Sequence, residues 1–260
     1  ESQLTEAGQK ATSEDEKAEF KKDVWVGLVK ERKIGYFALL RNLRNIIEQA
    51  PEVVNEALVM LTDEKLIKKS LVLPFRFTTA FDEVQKLSNG KIVRDVLVAL
   101  NKAVDIAISN VPVFDGETLV VLDVSGSMQG KPAQIGSLFS AVLIKSNNAD
   151  FMVFSDNAAY RNVNPMDSTI TIANSIRFAS GGTNFQAIFN TANKKYDRVV
   201  ILSDMQGWVG YNAPTVQFNA YKQRVGANPF LYSFDLNGYG SMQFPEQNVF
   251  AIAGFSEKIF

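Results

Sequence analysis

Residues 117 to 128 read ETLVVLDVSGSM, an apolar run, one carboxylate and then two hydroxyls at alternate positions. A strand ending at Asp123 delivers its next residues to the rim of a sheet, and in an extended turn Asp123, Ser125 and Ser127 point to one side. One carboxylate and two hydroxyls can then converge on a point. Oxygen-only ligands suit a hard cation, Mg2+ foremost or Mn2+, with Mg2+ wanting near-octahedral geometry at about 2.0–2.1 Å. Three oxygens leave such a site incomplete, and two other loops can supply more. ASGGTNF places Thr183 directly after Gly181 and Gly182, whose freedom lets backbone bend closely around an ion. RVVILSDMQG ends an apolar strand with Asp204. If the first and fourth strands lie side by side where the strand order reverses, Asp123 and Asp204 meet across the crevice.

Other chemistries fit these residues poorly. The chain has no histidine, which removes a Ser-His-Asp triad outright. A phosphate-binding G-x-x-x-x-G-K-[ST] loop fails because Gly126, Gly130 and Lys131 are spaced one residue too close and Pro132 stands where a hydroxyl belongs. An aspartyl nucleophile wants a second carboxylate two residues on, and Ser125 holds that place. In the remaining alternative the serines cap a loop and Asp123 caps the next helix, which leaves Thr183 and Asp204 unexplained. The expectation is a binding site and not an enzyme.

The elements that must position these residues change character along the chain. Residues 1–22 are polar and charge-rich and read as a linker or a frayed helix. Residues 23–110 carry helical periodicity: Tyr36, Leu40, Leu43 and Ile47 form one stripe, Val54, Leu58 and Leu61 a second. A short helix follows around DEKLIKK, then one over 75–87 stopped by Ser88-Asn89-Gly90. The longest has Ile92, Val96, Ala99, Ala103 and Ala107 on its apolar face. From residue 111 to 260, six short apolar runs (TLVVLD, DFMVFSD, AYRNVN, RVVILSD, PFLYSFD, NVFAIAGF) alternate with helices expected over 132–145, 168–178, 185–194 and 214–225. The tight turn between the second and third runs makes the third an antiparallel edge strand. The fold class is therefore α/β, a mostly parallel sheet with helices on both faces, preceded by an all-α segment.

Composition sets outer bounds. Lys plus Arg is 27 against 28 for Asp plus Glu, so no global charge points to nucleic acid or a membrane surface. There are no cysteines, and a core of this size needs no disulfide. No apolar stretch approaches a membrane span, and no signal-peptide pattern opens the chain. The first residue is Glu1 and not Met, so the expectation is a fragment or a processed product.

The D-x-S-x-S of residues 123–127, with Thr183 and Asp204 in order behind it, resembles the metal-ion-dependent adhesion site of von Willebrand factor A domains. That resemblance implies a Rossmann-like A-domain fold, a divalent cation on Asp123, Ser125, Ser127, Thr183 and Asp204, and a partner's carboxylate completing the shell. The helical part is similar to the C-terminal end of a TROVE module of the Ro ribonucleoproteins. Trp25, the run Ala38-Leu39-Leu40-Arg41-Asn42-Leu43, and Leu73-Pro74-Phe75 carry that likeness, followed by DVSGSM and GGT. It implies a non-catalytic, cytoplasmic RNA-binding protein. Such proteins bind small structured Y RNAs and the ends of misfolded RNAs in RNA quality control. Only the last helices of the family's ring stand in 23–110, so weak RNA binding by this piece alone is expected. The alternative is a metal-dependent adhesion or scaffolding A domain without an RNA role.

Candidate RNA contacts are Arg41 and Arg44, away from the apolar stripe, and the cluster Lys65, Lys68 and Lys69, all able to meet phosphates. Against this stands a solvated face with ion pairs, such as Arg44 with Glu48 at helical spacing, or Arg41 as a buried residue between helices. Trp25, Phe37 and Phe77 are read as core before base-stacking platforms.

Overall fold

Helix α1 (Glu14–Lys30) opens the described part of the chain, within the stretch expected to be a linker or frayed helix. The computed structural model describes residues 13–88, 90–207, 213–238, 244 and 248–254. Residues 1–12, Asn89 of the expected helix stop and Phe255 of the last apolar run lie outside the described residues. Helix α1 starts where it does for local reasons. The Ser13 side chain accepts from the backbone N of Glu16 at 3.2 Å, three acids occupy the first turn, and Lys17 pairs with Glu14 at 2.8 Å. Burial begins only at Trp25 and Val29, so the cap and not a core sets its start.

The chain divides into two compact units, Glu1–Asn110 and Val111–Phe260. In the first, α1 is followed by α2 (Tyr36–Gln49), α3 (Val54–Leu61), α4 (Glu64–Ser70), α5 (Phe77–Gln85) and α6 (Lys91–Ala107). Trp25 donates through Nε1 to Gln49 Oε1 at 3.1 Å, and the buried Tyr36 hydroxyl donates to Leu61 O at 2.7 Å. These bonds fasten α1 and α3 to α2. The stripe on α2 is displaced from the expected one: Leu39 and Ile46 are buried with Tyr36, Leu40 and Leu43, while Ile47 is only half-buried. Positions seven apart return to nearly the same face, and the denser packing falls on the Leu39–Ile46 side. On α6, Val93, Leu100 and Val104 join Val96, Ala99, Ala103 and Ala107 in the core, and Ile92 is exposed.

The second unit is a six-stranded sheet in the order β3-β2-β1-β4-β5-β6. Its strands are β1 (Thr118–Asp123), β2 (Asp150–Phe154), β3 (Ala158–Tyr160), β4 (Arg198–Ser203), β5 (Phe230–Asp235) and β6 (Val249–Ala253). Neighbours are parallel except β3, which runs antiparallel to β2 at the edge. Ser155 N bonds Asn157 O at 2.9 Å in the tight turn between them. All six residues of β1 are buried, as a central strand covered on both faces requires.

Helices α7 (Lys131–Asn147) and α8 (Thr169–Ser175) lie in the first half, α9 (Phe185–Thr191) and α10 (Pro214–Val225) in the second. On one face α9 and α10 bury Phe189, Phe218 and Tyr221 against β1, β2, β4 and β5, with Phe189 and Phe218 ring centroids 4.7 Å apart. On the other, Phe139 of α7 meets Phe234 edge-on at 5.1 Å. Gly136 lets α7 come close, since a Cβ there would stand 2.7 Å from Leu122 Cδ1.

Three helices end earlier than expected, α5 at Gln85 instead of 87 among them. Helix α8 stops at Ser175 because the chain turns extended at Ile176 and Ala179 N bonds Val124 O at 2.7 Å. Helix α9 stops at Thr191, and Arg224 closes it by donating to Phe189 O at 2.7 Å and Ala192 O at 2.6 Å. Helix α7 instead runs two residues past 145, to a left-handed Asn148 at φ 48°. No helix among the described residues is long and apolar enough to cross a membrane.

Candidate metal centre

Strands β1 and β4 are direct neighbours, with Leu122 opposite Leu202 in register. The chain leaves β1 toward β2 and leaves β4 toward β5 on the other side. Their C-terminal ends thus flank the reversal of strand order where open α/β sheets gather ligands. Asp123 closes β1, and Asp204 directly follows β4. Both are fully buried.

Around Asp123 the hydroxyls form a chain. Ser125 N donates to Asp123 Oδ1 at 2.9 Å, and the Ser203 hydroxyl donates to Oδ2 at 2.6 Å. Ser125 Oγ lies 3.2 Å from Ser127 Oγ and accepts from Thr183 Oγ1 at 3.0 Å. Four of the five expected ligands, Asp123, Ser125, Ser127 and Thr183, are therefore joined by direct hydrogen bonds. Asp204 takes a backbone bond from Gln206 N on Oδ1 at 3.3 Å, while its buried Oδ2 has no hydrogen-bond partner among the described residues. Burial pushes the Asp123 carboxyl up to about 6. The hydrogen bonds from Ser125 and Ser203 hold it back, and the nearby Asp204 charge adds to the rise.

A buried carboxylate oxygen without a donor is costly, and two acids beside one another more so. The donors here are carboxylate and hydroxyl oxygens, which match a hard divalent cation and no soft one. Among the described residues no three acidic, imidazole or thiol side chains converge, so a cation here would depend on the hydroxyls.

The loop bearing Thr183 is held by Asp156. Its Oδ1 accepts from Gly182 N at 3.0 Å, and its backbone O accepts from Asn184 Nδ2 at 3.2 Å. Gly126 N bonds Gly181 O at 3.1 Å, tying this loop to the one after β1. The need for glycine at 181 is one of space: a Cβ there would lie 2.5 Å from Asp156 Oδ2. Asp156 and Ser203 are the residues that spacing alone missed. Ser203 had a signal, a lone hydroxyl ending an otherwise apolar buried strand; Asp156 had none.

The basic candidates belong to the helical unit. Arg41 and Arg44 line a small cavity of about 150 Å3 between α2 and α5, together with Arg76. Arg44 pairs with Glu83 at 3.1 Å and Glu48 at 3.4 Å, and Lys68 with Glu64 at 2.6 Å. Arg41 is exposed and not buried between helices; Lys65 and Lys69 are exposed on α4. Trp25 and Phe77 are core, whereas Phe37 is exposed, with the Arg76 guanidinium 5.9 Å from its ring centre.

Residues 12–102 match the TROVE domain family. The RNA-binding protein RO60 of Deinococcus radiodurans is 27% identical over 224 residues, covering 74% of this chain and 41% of that protein. The chain thus spans under half the length of that relative. The crystal structure of the Deinococcus radiodurans RO (RSR) protein has the same fold, with a TM-score of 0.75 at 20% identity, over 98% of this chain and 60% of that one. The order of a helical unit followed by an α/β unit is shared with that structure, and over residues 12–102 the chain is similar to the TROVE domain family.

Proposed function

We propose that this chain is part of a non-catalytic, cytoplasmic RNA-binding protein of a Ro-type ribonucleoprotein, handling small structured Y-like RNAs and misfolded RNAs in quality control. In this reading its A-type unit is a cation-dependent docking site for a protein partner. The RNA half is supported by the TROVE match over residues 12–102 and by the RNA-binding relative. A purely adhesive or scaffolding role would leave that match without a purpose. The docking half is carried by one observation, the buried Asp204 Oδ2 that lacks a partner beside the raised Asp123 carboxyl.

Asp123, Ser125, Ser127, Thr183 and Asp204 would hold Mg2+ or Mn2+. Two carboxylates and three neutral hydroxyls leave a bound divalent cation attractive to an incoming acidic side chain. Ser203 holds Asp123 in place, Asp156 holds the Thr183 loop, and neither needs to touch the ion. Arg41, Arg44, Lys65, Lys68 and Lys69 offer phosphate contacts of the sequence-independent kind.

Two measurements test the two halves. Mn2+ titrated into the protein should lose its free electron-paramagnetic-resonance signal up to one ion per chain, and Asp123→Ala should abolish that uptake; equal uptake by both removes the docking reading. A structured small RNA should be retarded by the protein extended to its relatives' length, less so as salt rises. No retardation at low salt removes the RNA reading.

A further inference from the structure

A groove of about 600 Å3 lies on the α7 face of the sheet, over the edge strands β2 and β3. Met152, Phe154, Ala158 and Tyr160 face the opposite core. By the two-residue alternation of a strand, Phe151 and Val153 of β2 and Ala159 of β3 therefore form the groove floor. Arg161 continues the register of Ala159, its backbone N bonding Phe151 O at 2.9 Å. Helix α8 forms the outer wall with Ile172, and the extended stretch after it adds Ile176 and Arg177. A second chamber of about 360 Å3 shares Phe151, Arg161 and Ile172 with the first. These volumes fall in the range of binding cavities, roughly 300–1,000 Å3.

Charge sets this groove apart from ordinary surface relief. Among the described residues no Asp or Glu lines the larger chamber, Asp150 and Lys145 line the smaller one, and Arg161 and Arg177 are both exposed. Among the described residues neither guanidinium has an ion pair or hydrogen bond, unlike Arg44, Arg198 and Arg224. Position matters as much. Val124 lies in the groove wall between Asp123 and Ser125 of the cation cluster. Ser155, also in the wall, accepts from Asn184 N at 2.8 Å beside Thr183. The groove begins at the same rim as the cluster.

We propose that this groove selects the docked partner: an acidic, apolar peptide segment that places one carboxylate on the cation, apolar side chains on the Phe151–Val153–Ala159 floor, and a further carboxylate on Arg161 or Arg177. This inference rests on the cation-docking reading and names the partner chemistry that goes with it. Two cations over a mainly apolar lining suit carboxylates on an apolar body better than a phosphate chain, which draws its affinity from many basic contacts.

The probe is a fluorescent peptide of alternating Asp and Leu, its anisotropy followed against the protein in millimolar Mg2+. A peptide with Ser for every Leu, and oligouridine RNA, serve as comparisons. Saturable binding of the Asp–Leu peptide to wild type is expected. The pair Arg161→Glu with Arg177→Glu should weaken it about tenfold or more while leaving Mn2+ uptake and the melting temperature as in wild type. The Asp–Ser peptide should bind no better to wild type than the Asp–Leu peptide binds to that variant. Equal affinity for wild type and variant, no saturable peptide binding by cation-loaded wild type, or arginine-dependent capture of oligouridine in its place overturns the proposal. If peptide binding depends on the arginines but survives Asp123→Ala undiminished, the groove stands and the cation-docking reading falls.

Discussion

Ser203 and Asp204 end one strand and have opposite roles in the cluster. The Ser203 hydroxyl gives its proton to Asp123 Oδ2 and accepts from Met205 N at 2.9 Å, so it joins both loops of the crevice. Ser203→Ala should cost about 1–3 kcal/mol in a urea melt, since it strips a buried carboxylate of a donor and removes the hydroxyl that accepts from Met205 N. Mn2+ uptake should weaken with it, because Asp123 loses the bond that fixes its second oxygen. Asp123 makes a further prediction for the EDTA-treated protein. Its folded pKa of about 6 lies above its unfolded value of 3.8, so the unfolded chain gives up this proton first as pH rises. Stability should therefore fall between about pH 4 and pH 6 and stay level above, by up to about 3 kcal/mol at 1.36 kcal/mol per pKa unit. Chemical denaturation across that range checks it, and a rise in stability over the same interval would contradict it. The grouping of Asp123, Ser125, Ser127 and Thr183 was legible in the sequence because spacing and residue type suffice to bring oxygen atoms on loops together. Asp156 was not, because it reaches the Thr183 loop across a fold that only the sheet brings together.

Among the elements, those with strong periodicity were legible and those ended by tertiary contacts were not. Each of the six apolar runs contains a strand, although β3 takes only Ala159 and Tyr160 of AYRNVN, and β3 is the antiparallel edge that its tight turn implied. Helix α10 has the bounds of 214–225 because Pro214 starts it and Gly226, left-handed at φ 66°, ends it. Helices α8 and α9 ran short because Ala179 and Arg224 capture backbone that local sequence would have left helical. Helix α1 shows the reverse, a polar stretch made helical by its own cap and charges. Ser13→Ala should cost that helix about 1 kcal/mol, seen as faster amide exchange over residues 16–20 with global stability unchanged. In the α/β unit Phe189 is fully buried among Phe218, Tyr221 and Phe244, with centroids at 4.7, 5.5 and 5.6 Å. Phe189→Ala should lower its stability by about 3–5 kcal/mol in denaturant.

For the whole molecule, the near balance of 27 basic and 28 acidic residues hid two local features. Arg41 and Arg44 were legible from their place off the apolar stripe of α2, whereas Arg76 beside them, and Arg161 and Arg177, unpaired among the described residues, became visible only once helices and sheet placed them. The carboxylate and hydroxyl cluster was visible from the start, since its three segments stand in order along the chain. Its reading as a docking site rests on two buried acids that lack a positive partner among the described residues, and that asymmetry can be measured directly. The test compares melting temperatures of wild type and Asp123→Asn, each in EDTA and in millimolar Mg2+. Asparagine keeps the acceptor for Ser125 N, and the Ser203 hydroxyl can accept from the new amide, so the fold tolerates the change. The expected result is that the variant melts above wild type in EDTA, that Mg2+ raises wild type, and that Mg2+ leaves the variant where it was. Wild type melting at one temperature in both conditions, with the variant below it in both, would make the cluster a structural hydrogen-bond network and contradict the account.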